Sequence, residues 1–277
     1  MSVLLHSSNI SHICYNSDMK VSVVIPAYNE EKYIATCLES LVQQEDKADE
    51  IIVVDNNCTD NTVKIAKQYP VRIVQEKIQG MIPARNRGYD EAKYEIIART
   101  DSDAILPTNW IATIKKGFTD KSIVALAGPT FFYDAPLPGT TTKLQSIIFF
   151  KGTRLMLGHE TTHGPNTALR KSAWEKVRED VCLDDRAVHE DIDLAIHLSR
   201  IGIIKYEPAL LNKVSARRIN YNFSSIATDY SVRWFKTCLH QRWPDLKNKL
   251  PHPAIIEKAK NAYYNQRGKH STKSRLK

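Results

Sequence analysis

The sequence has no apolar run that approaches a membrane span, no Cys-x-x-Cys pair, and no glycine in the loop behind its first apolar strand. A bilayer-crossing helix needs roughly 20 consecutive apolar residues, and the run around Ile147 to Phe150 is cut short by Lys151 and Arg154. No spanning helix is expected among these residues. The five cysteines (Cys14, Cys37, Cys58, Cys182 and Cys238) are odd in number and scattered. Such a set argues against a disulfide framework or a zinc site and for a reducing compartment, so a cytoplasmic location is expected. Residues 1–18 lack the basic start and apolar core of a secretory signal. With Met19-Lys20 directly before the first strand, they are expected to be a loose N-terminal extension, and Met19 is a candidate start.

What is present is an ordinary globular composition. The chain of 277 residues, 42% hydrophobic and 25% charged, is long enough for one large α/β domain with an appendage. Its formal net charge of +8 is uneven: from Lys247 to Lys277 nine Lys or Arg face one acid, Glu257. A tail of that kind can lie on anionic lipid, bind nucleic acid or stay solvated.

Short apolar runs alternate with helical patterns. Val21 to Ile25, ended by Pro26, reads as a buried strand, and Asn29 is placed to cap a helix with Ile34, Cys37, Leu38 and Leu41 on its buried stripe. Glu50 to Asp55 repeats the pattern, with Thr59 as the next expected cap. Val71 to Val74 is a third strand, followed by Gly80 and a helix over 82–92. Ile96 to Ala98 is a fourth, Trp110 to Ile114 fits a helix, and Ile123 to Ala127 is a fifth strand. This alternation predicts a mostly parallel sheet covered on both faces, with the loops after Ile25, Val54 and Thr100 along one edge. Beyond Gly128 the pattern loosens. Helices are expected over 144–157 and 189–201, and from 224 to 264 with breaks at Pro244, Pro251 and Pro253.

The fourth strand ends in Asp101-Ser102-Asp103. On extended backbone both carboxylates would face one way, where they repel unless a cation lies between them. Mg²⁺ and Mn²⁺ take hard oxygen ligands, often one or two carboxylates plus substrate phosphates. A solvated Asp-Ser-Asp turn is the bland alternative.

Taken in order, Val-Ile-Pro-Ala-Tyr-Asn-Glu-Glu (24–31), Val-Val-Asp-Asn-Asn-Cys-Thr-Asp-Asn-Thr (53–62), Ala-Arg-Asn-Arg-Gly (84–88), Asp-Ser-Asp (101–103) and Glu-Asp (190–191) resemble glycosyltransferase family 2. The resemblance implies a GT-A fold: a Rossmann-like, mostly parallel central sheet flanked by helices over residues 19–222, with a helical, basic C-terminal extension over 223–277. It implies a metal-dependent inverting transferase moving a sugar from a UDP- or GDP-sugar to the hydroxyl of a glycan or lipid-linked acceptor, with Mn²⁺ or Mg²⁺ as cofactor. Pro26, Ala27, Tyr28, Glu30, Asp55, Arg85, Asp101 and Ser102 would then hold the donor. Asp103, with Asp101, would hold the metal, and Asp191 would be the general base. Gly164 and Asn166, beside His163, resemble the family's Gly-x-Asn element under the sugar and acceptor. Glu190, Arg217 and Arg218 are further candidates for acceptor or phosphate contact. One departure is visible: Asn56 stands where the pattern usually has a second acid.

Each residue also has a structural reading: a turn acid for Asp55, helix-dipole partners for Glu190 and Asp191, an ion pair for Arg85, a solvated basic turn for one of Arg217 and Arg218. Two other functional classes compete. A nucleotidyltransferase shares the acid-bound metal, yet usually has a Gly-rich, Arg- and Lys-bearing loop after the first strand, unlike Pro26 to Glu31. A non-catalytic nucleotide-sugar-binding module would not need both Asp103 and Asp191. Nucleic-acid binding lacks the interleaved aromatic and basic strand motif. Finally, Tyr230 to Trp243 mixes aromatics with cations. An anionic membrane surface is therefore a candidate partner, the alternative being tryptophans that pack the C-terminal helices onto the main domain.

Overall fold

The computed structural model describes residues 18–184, 188–217 and 231–242. Its centre is a seven-stranded sheet in the order β3-β2-β1-β4-β7-β5-β8. The strands are β1 (Val21–Ala27), β2 (Glu50–Asp55), β3 (Arg72–Gln75), β4 (Ile96–Thr100), β5 (Ile123–Ala127), β7 (Asn166–Arg170) and β8 (Ile203–Tyr206). A two-stranded ribbon of β6 (Thr130–Phe132) and β9 (Asn212–Val214) lies beside it. The central strands read as unbroken apolar runs because both faces are covered. Val21, Val23 and Ile25 of β1 pack on one side with Cys37, Leu38 and Leu41 of α1 (Ile34–Val42) and Trp110, Ile111 and Ile114 of α4 (Trp110–Gly117). Val24 faces the other way, with Ala84 and Tyr89 of α3 (Met81–Glu91), Trp174 of α7 (Lys171–Val177) and Leu194 of α8 (Glu190–Ser199).

The sheet is mostly parallel, as the alternation implies, with one exception. β7 runs antiparallel between β4 and β5, in the interior of the sheet. Other departures are local. Asn29 does not cap α1: it adopts φ 55°, and its side chain accepts the Thr59 N–H at 2.8 Å, tying the two loops together. Thr59 is likewise not the cap of α2 (Thr62–Ala66); there the Asp60 carboxylate accepts the Thr62 N–H at 2.9 Å. The helix expected over 144–157 starts earlier, at the helix-compatible Pro138. It runs as α5 (Pro138–Ser146), a π-helical turn (Ile147–Gly152) and α6 (Thr153–Leu157). The wider turn lets the adjacent Phe149 and Phe150 both pack against His163. The last described helix is α9 (Ser231–Arg242). The helices expected elsewhere in 224–264 lie outside the described residues.

Helix α3 sits close on the sheet because Gly88 has no side chain. A Cβ there would lie 2.2 Å from Val24 Cγ1 and 3.0 Å from Val54 Cγ2, both on buried, β-branched residues with little freedom to move. Gly88→Ala is expected to destabilise the protein by about 1–3 kcal/mol through overpacking, read as a lower midpoint in denaturant unfolding with an unchanged slope.

Candidate functional site

The order of the strands locates the site. From β1 the chain proceeds outward to β2 and β3, then returns to place β4 on the other flank of β1. Such a reversal opens a crevice at the carboxyl ends of the two strands, where open α/β sheets bind ligands. A cleft of about 170 Å³ lies there. Pro26, Ala27, Tyr28 and Glu30 after β1 form one wall, and Asp101, Ser102 and Asp103 after β4 another. Asn56, Gln79, Gly80, Met81 and Ala84 close it.

Asp101-Ser102-Asp103 is a turn rather than extended backbone: the Ala104 N–H donates to the Asp101 carbonyl at 3.1 Å. The extended geometry that would set both carboxylates on one face therefore does not hold, and Ser102 is buried against the cleft. Each carboxylate meets an arginine. Arg217 Nε lies 3.2 Å from Asp103 Oδ2, while its Nη2 donates to both Glu30 oxygens at 2.6 Å. The guanidinium also stacks 4.3 Å over the Tyr33 ring. Arg99 Nη2 lies 3.7 Å from Asp101 Oδ1.

Arg99 connects the cleft to the second acidic pair. It occupies a buried strand position, and its Nη1 donates to Glu190 Oε1 at 2.8 Å and approaches Asp191 Oδ1 at 3.5 Å. Asp191 Oδ2 accepts the Gly164 N–H at 2.8 Å. A Cβ on Gly164 would come within 2.9 Å of Arg99 Nη2 and 3.2 Å of Asp191 Oδ2, so glycine is what permits this approach. Burial raises the Asp191 pKa, and the adjacent Glu190 charge adds to the rise; Arg99 and the Gly164 N–H only partly oppose them. For Glu190 burial also pulls upward, but the Arg99 and Arg85 guanidiniums more than offset it and hold the group below the usual carboxylate range. Two neighbouring acids are thus driven apart in acidity, the pattern expected of a pair with separate tasks.

Several expected contacts are used structurally. Arg85 is fully buried: it donates to Glu190 Oε2 at 2.6 Å and to Asn86 Oδ1, bracing the acidic pair. Glu190 is correspondingly held between two guanidiniums, those of Arg85 and Arg99. The Asn166 side chain is also enclosed. Its Oδ1 accepts the Trp110 indole N–H at 2.9 Å, and its Nδ2 donates to the carbonyls of Pro129 and Leu210. Asp55 caps the turn after β2 by accepting the Cys58 N–H at 2.8 Å, and the neighbouring Asn56 reaches the cleft wall. Asn56 donates to the carbonyls of Glu76 and Ile78 and accepts the Gly80 N–H, bonds a carboxylate could not all make. The departure from the two-acid pattern thus has a local cause. His163 and His189 are held neutral by burial, which pushes them down to about 3 and about 4. Arg218 lies outside the described residues.

Sequence reasoning missed Arg99. Its signal was a lone cation inside an apolar strand, a position that demands buried acids as partners.

The cleft fits a divalent cation in one respect: the hard oxygen donors Asp101 and Asp103 both line it, Asp103 being paired with the Arg217 guanidinium. Among the described residues no group of three or more His, Cys, Asp or Glu side chains could hold an ion. Substrate phosphates and water would have to complete the coordination, the usual arrangement for Mg²⁺ in phosphate chemistry.

Solved structures similar to this one include a mannosyltransferase from Pyrobaculum calidifontis in complex with GDP-Man and Mn²⁺, at 20% identity and TM-score 0.56, covering 83% of this chain and 71% of that one. Another is glucosyl-3-phosphoglycerate synthase from Mycobacterium tuberculosis with Mn²⁺, UDP-Glc and phosphoglyceric acid, at 20% identity and TM-score 0.60, covering 80% of each chain. These likenesses show a GT-A fold. Residues 22–178 match the model of glycosyl transferase family 2, and the chain belongs to that family. Among curated proteins it is 38% identical over 116 residues to the uncharacterized glycosyltransferase YibD of Escherichia coli K12, covering 40% of this chain and 34% of that protein. It is 36% identical over 120 residues to glycosyltransferase GlyG of Streptococcus pneumoniae, covering 41% and 40%. The matched stretch spans between a third and two fifths of these relatives.

The enclosure of Asn166 gives a direct test of its scaffold role. Asn166→Asp exchanges a two-bond donor for an acceptor facing two carbonyls, and should cost roughly 3 kcal/mol or more. Thermal unfolding should show a clearly lowered midpoint before any ligand is added.

Proposed function

We propose that the protein is an inverting glycosyltransferase that moves a sugar from a UDP- or GDP-sugar to an acceptor hydroxyl, with Asp191 as general base. The observation that carries this reading is the arrangement of Asp191. It is set by Arg99 and the Gly164 N–H, and the same arginine reaches the acid turn of the switch-point cleft. The donor diphosphate would lie toward Asp101 to Asp103. The acceptor hydroxyl would meet Asp191, lose its proton to the carboxylate, and form a bond to the anomeric carbon as the bond to the diphosphate breaks. A divalent ion held by Asp103 and Asp101 would supply Lewis-acid stabilisation of the leaving diphosphate. Arg217, already paired through Nη2 with Glu30 and through Nε with Asp103, would exchange these oxygens for phosphate, which suits a guanidinium. Family membership supports the reaction class. The nucleotide sugars and Mn²⁺ bound by the similar structures support the donor class and cofactor.

A base must be ionised, and burial with Glu190 raises the Asp191 pKa, so the rate should climb with pH through a value well above an ordinary carboxylate. The sign for stability is opposite. The folded state holds the Asp191 proton longer than the unfolded chain, so stability declines as pH rises from the ordinary aspartate range through the raised value. Asp191→Asn should lower transfer by roughly 10²- to 10⁴-fold with donor affinity nearly unchanged. It should also remove that pH-dependent decline in unfolding free energy. Wild-type transfer by this variant would eliminate Asp191 as the base.

Asp103→Ala should fold normally and lose Mn²⁺-dependent donor binding. Calorimetric titration of UDP-sugars and GDP-sugars, with and without Mn²⁺, reads this directly, and equal affinity in variant and wild type would rule out the metal role.

A further inference from the structure

The helical run from α5 to α6 turns an unusual face outward. Its exposed positions from 143 to 155 follow helical spacing, and four of the seven are apolar: Leu144, Ile147, Ile148 and Leu155. The other three are Lys143, Lys151 and Arg154, the last paired at 2.8 Å with Glu160 just beyond the run. A solvent-facing stripe is normally polar and of mixed charge, whereas this one has no acid and no neutral polar side chain. Ile148 is 60% exposed and Leu155 83%. The opposite side of the run is anchored: Phe149 packs on His163 and His189, and Thr153 accepts the Trp234 indole N–H at 2.9 Å. Trp234 thus attaches α9 to α6, and α9 leaves Val232, Phe235 and Lys236 exposed in its first turns. Neither 137–158 nor 231–242 contains an Asp or Glu.

From this composition we infer that the α5–α6 face, continued by the start of α9, is a docking surface for an anionic lipid bilayer. Apolar side chains flanked by cations are what an interfacial helix presents to acyl chains and headgroups; the stripe itself carries no acid and the adjoining Glu160 is neutralised by Arg154, so little repulsion of anionic lipid remains. A second copy of the chain is a poorer occupant, because a two-fold interface would bring the same cations together. Docking does not depend on the transferase reading. One consequence does: His163 and His189, on which the inner side of this run packs, adjoin Gly164 and Glu190-Asp191, so the bilayer would lie near the proposed acceptor side and favour a membrane-borne acceptor.

The test is co-sedimentation of the full chain with phosphatidylcholine vesicles, with and without phosphatidylglycerol, at low and high salt. Wild type should pellet with the anionic vesicles at low salt, be released by salt and bind neutral vesicles weakly. Ile148→Glu combined with Leu155→Glu, both at exposed positions, should lower the partition coefficient roughly tenfold or more with the melting temperature unchanged. Lys151→Glu should act in the same direction, and gives an independent check if the double variant melts early. The inference fails if wild type stays in the supernatant at low salt, or binds neutral vesicles equally well. It also fails if folded variants pellet like wild type, which would assign binding to residues 243–277, or if the double variant abolishes a dimer seen by sedimentation velocity without lipid. Donor binding measured on the same samples keeps this result separate from the catalytic reading.

Discussion

A guanidinium inside a sheet must be surrounded by its counter-charges, and Arg99 imposes that requirement on everything near it. Removing one partner of a buried charge pair typically costs about 3–5 kcal/mol, so the partners of Arg99 are tightly specified. Glu190 meets it from the first turn of α8, where the helix dipole also favours a carboxylate. Arg85 approaches Glu190 from α3 and shares the load. Asp191 comes second in line, leaving it the less fully neutralised of the two acids. The uneven division of positive charge between adjacent carboxylates is what separates their acidities. Gly164 completes the arrangement by being small enough to bring a backbone N–H where no side chain would fit.

Across the cleft, Arg217 satisfies Glu30 and Asp103 in the same way, but from a loop. That loop is braced by Asp134, which accepts the Ser215 hydroxyl and the Ala216 N–H. Arg217 is one-fifth exposed at its side chain, whereas Arg99 is 2% exposed. The two cations are therefore unequal in their freedom. One is locked into the scaffold, and the other keeps part of its guanidinium open to solvent.

The strands were legible because a sheet covered on both faces leaves continuous apolar runs, and β1, β2, β4 and β5 are of that kind. The switch-point cleft was legible for the same reason: once the order of strands and helices is read, the loops after Ile25, Val54 and Thr100 must share an edge. What sequence did not disclose depends on partners distant in the chain. Nothing local says that 166–170 inserts antiparallel between β4 and β5, because its pairing partners lie about 70 and 40 residues earlier. Arg85 and Asn166 are polar residues near the right motifs, and only the packed structure reveals that their polar atoms are already used. Asn29 and Thr59 have the chemistry of helix caps, yet they are spent on joining two loops, a tertiary bond that overrides the local preference.

The antiparallel insertion of β7 also sets an order of assembly. Strands β3, β2, β1 and β4 can pair once residue 100 has been made, but β4 then remains an open edge while β5 has no route to the sheet. Only when β7 wedges between them do the two parts join, bringing Pro165 against Thr100 and the Gly164 N–H toward Asp191. An apolar edge strand waiting that long is a template for pairing with another chain. Slow synthesis or a weakened β7 would therefore show itself as aggregation of the nascent protein, before any effect on a finished site could be measured.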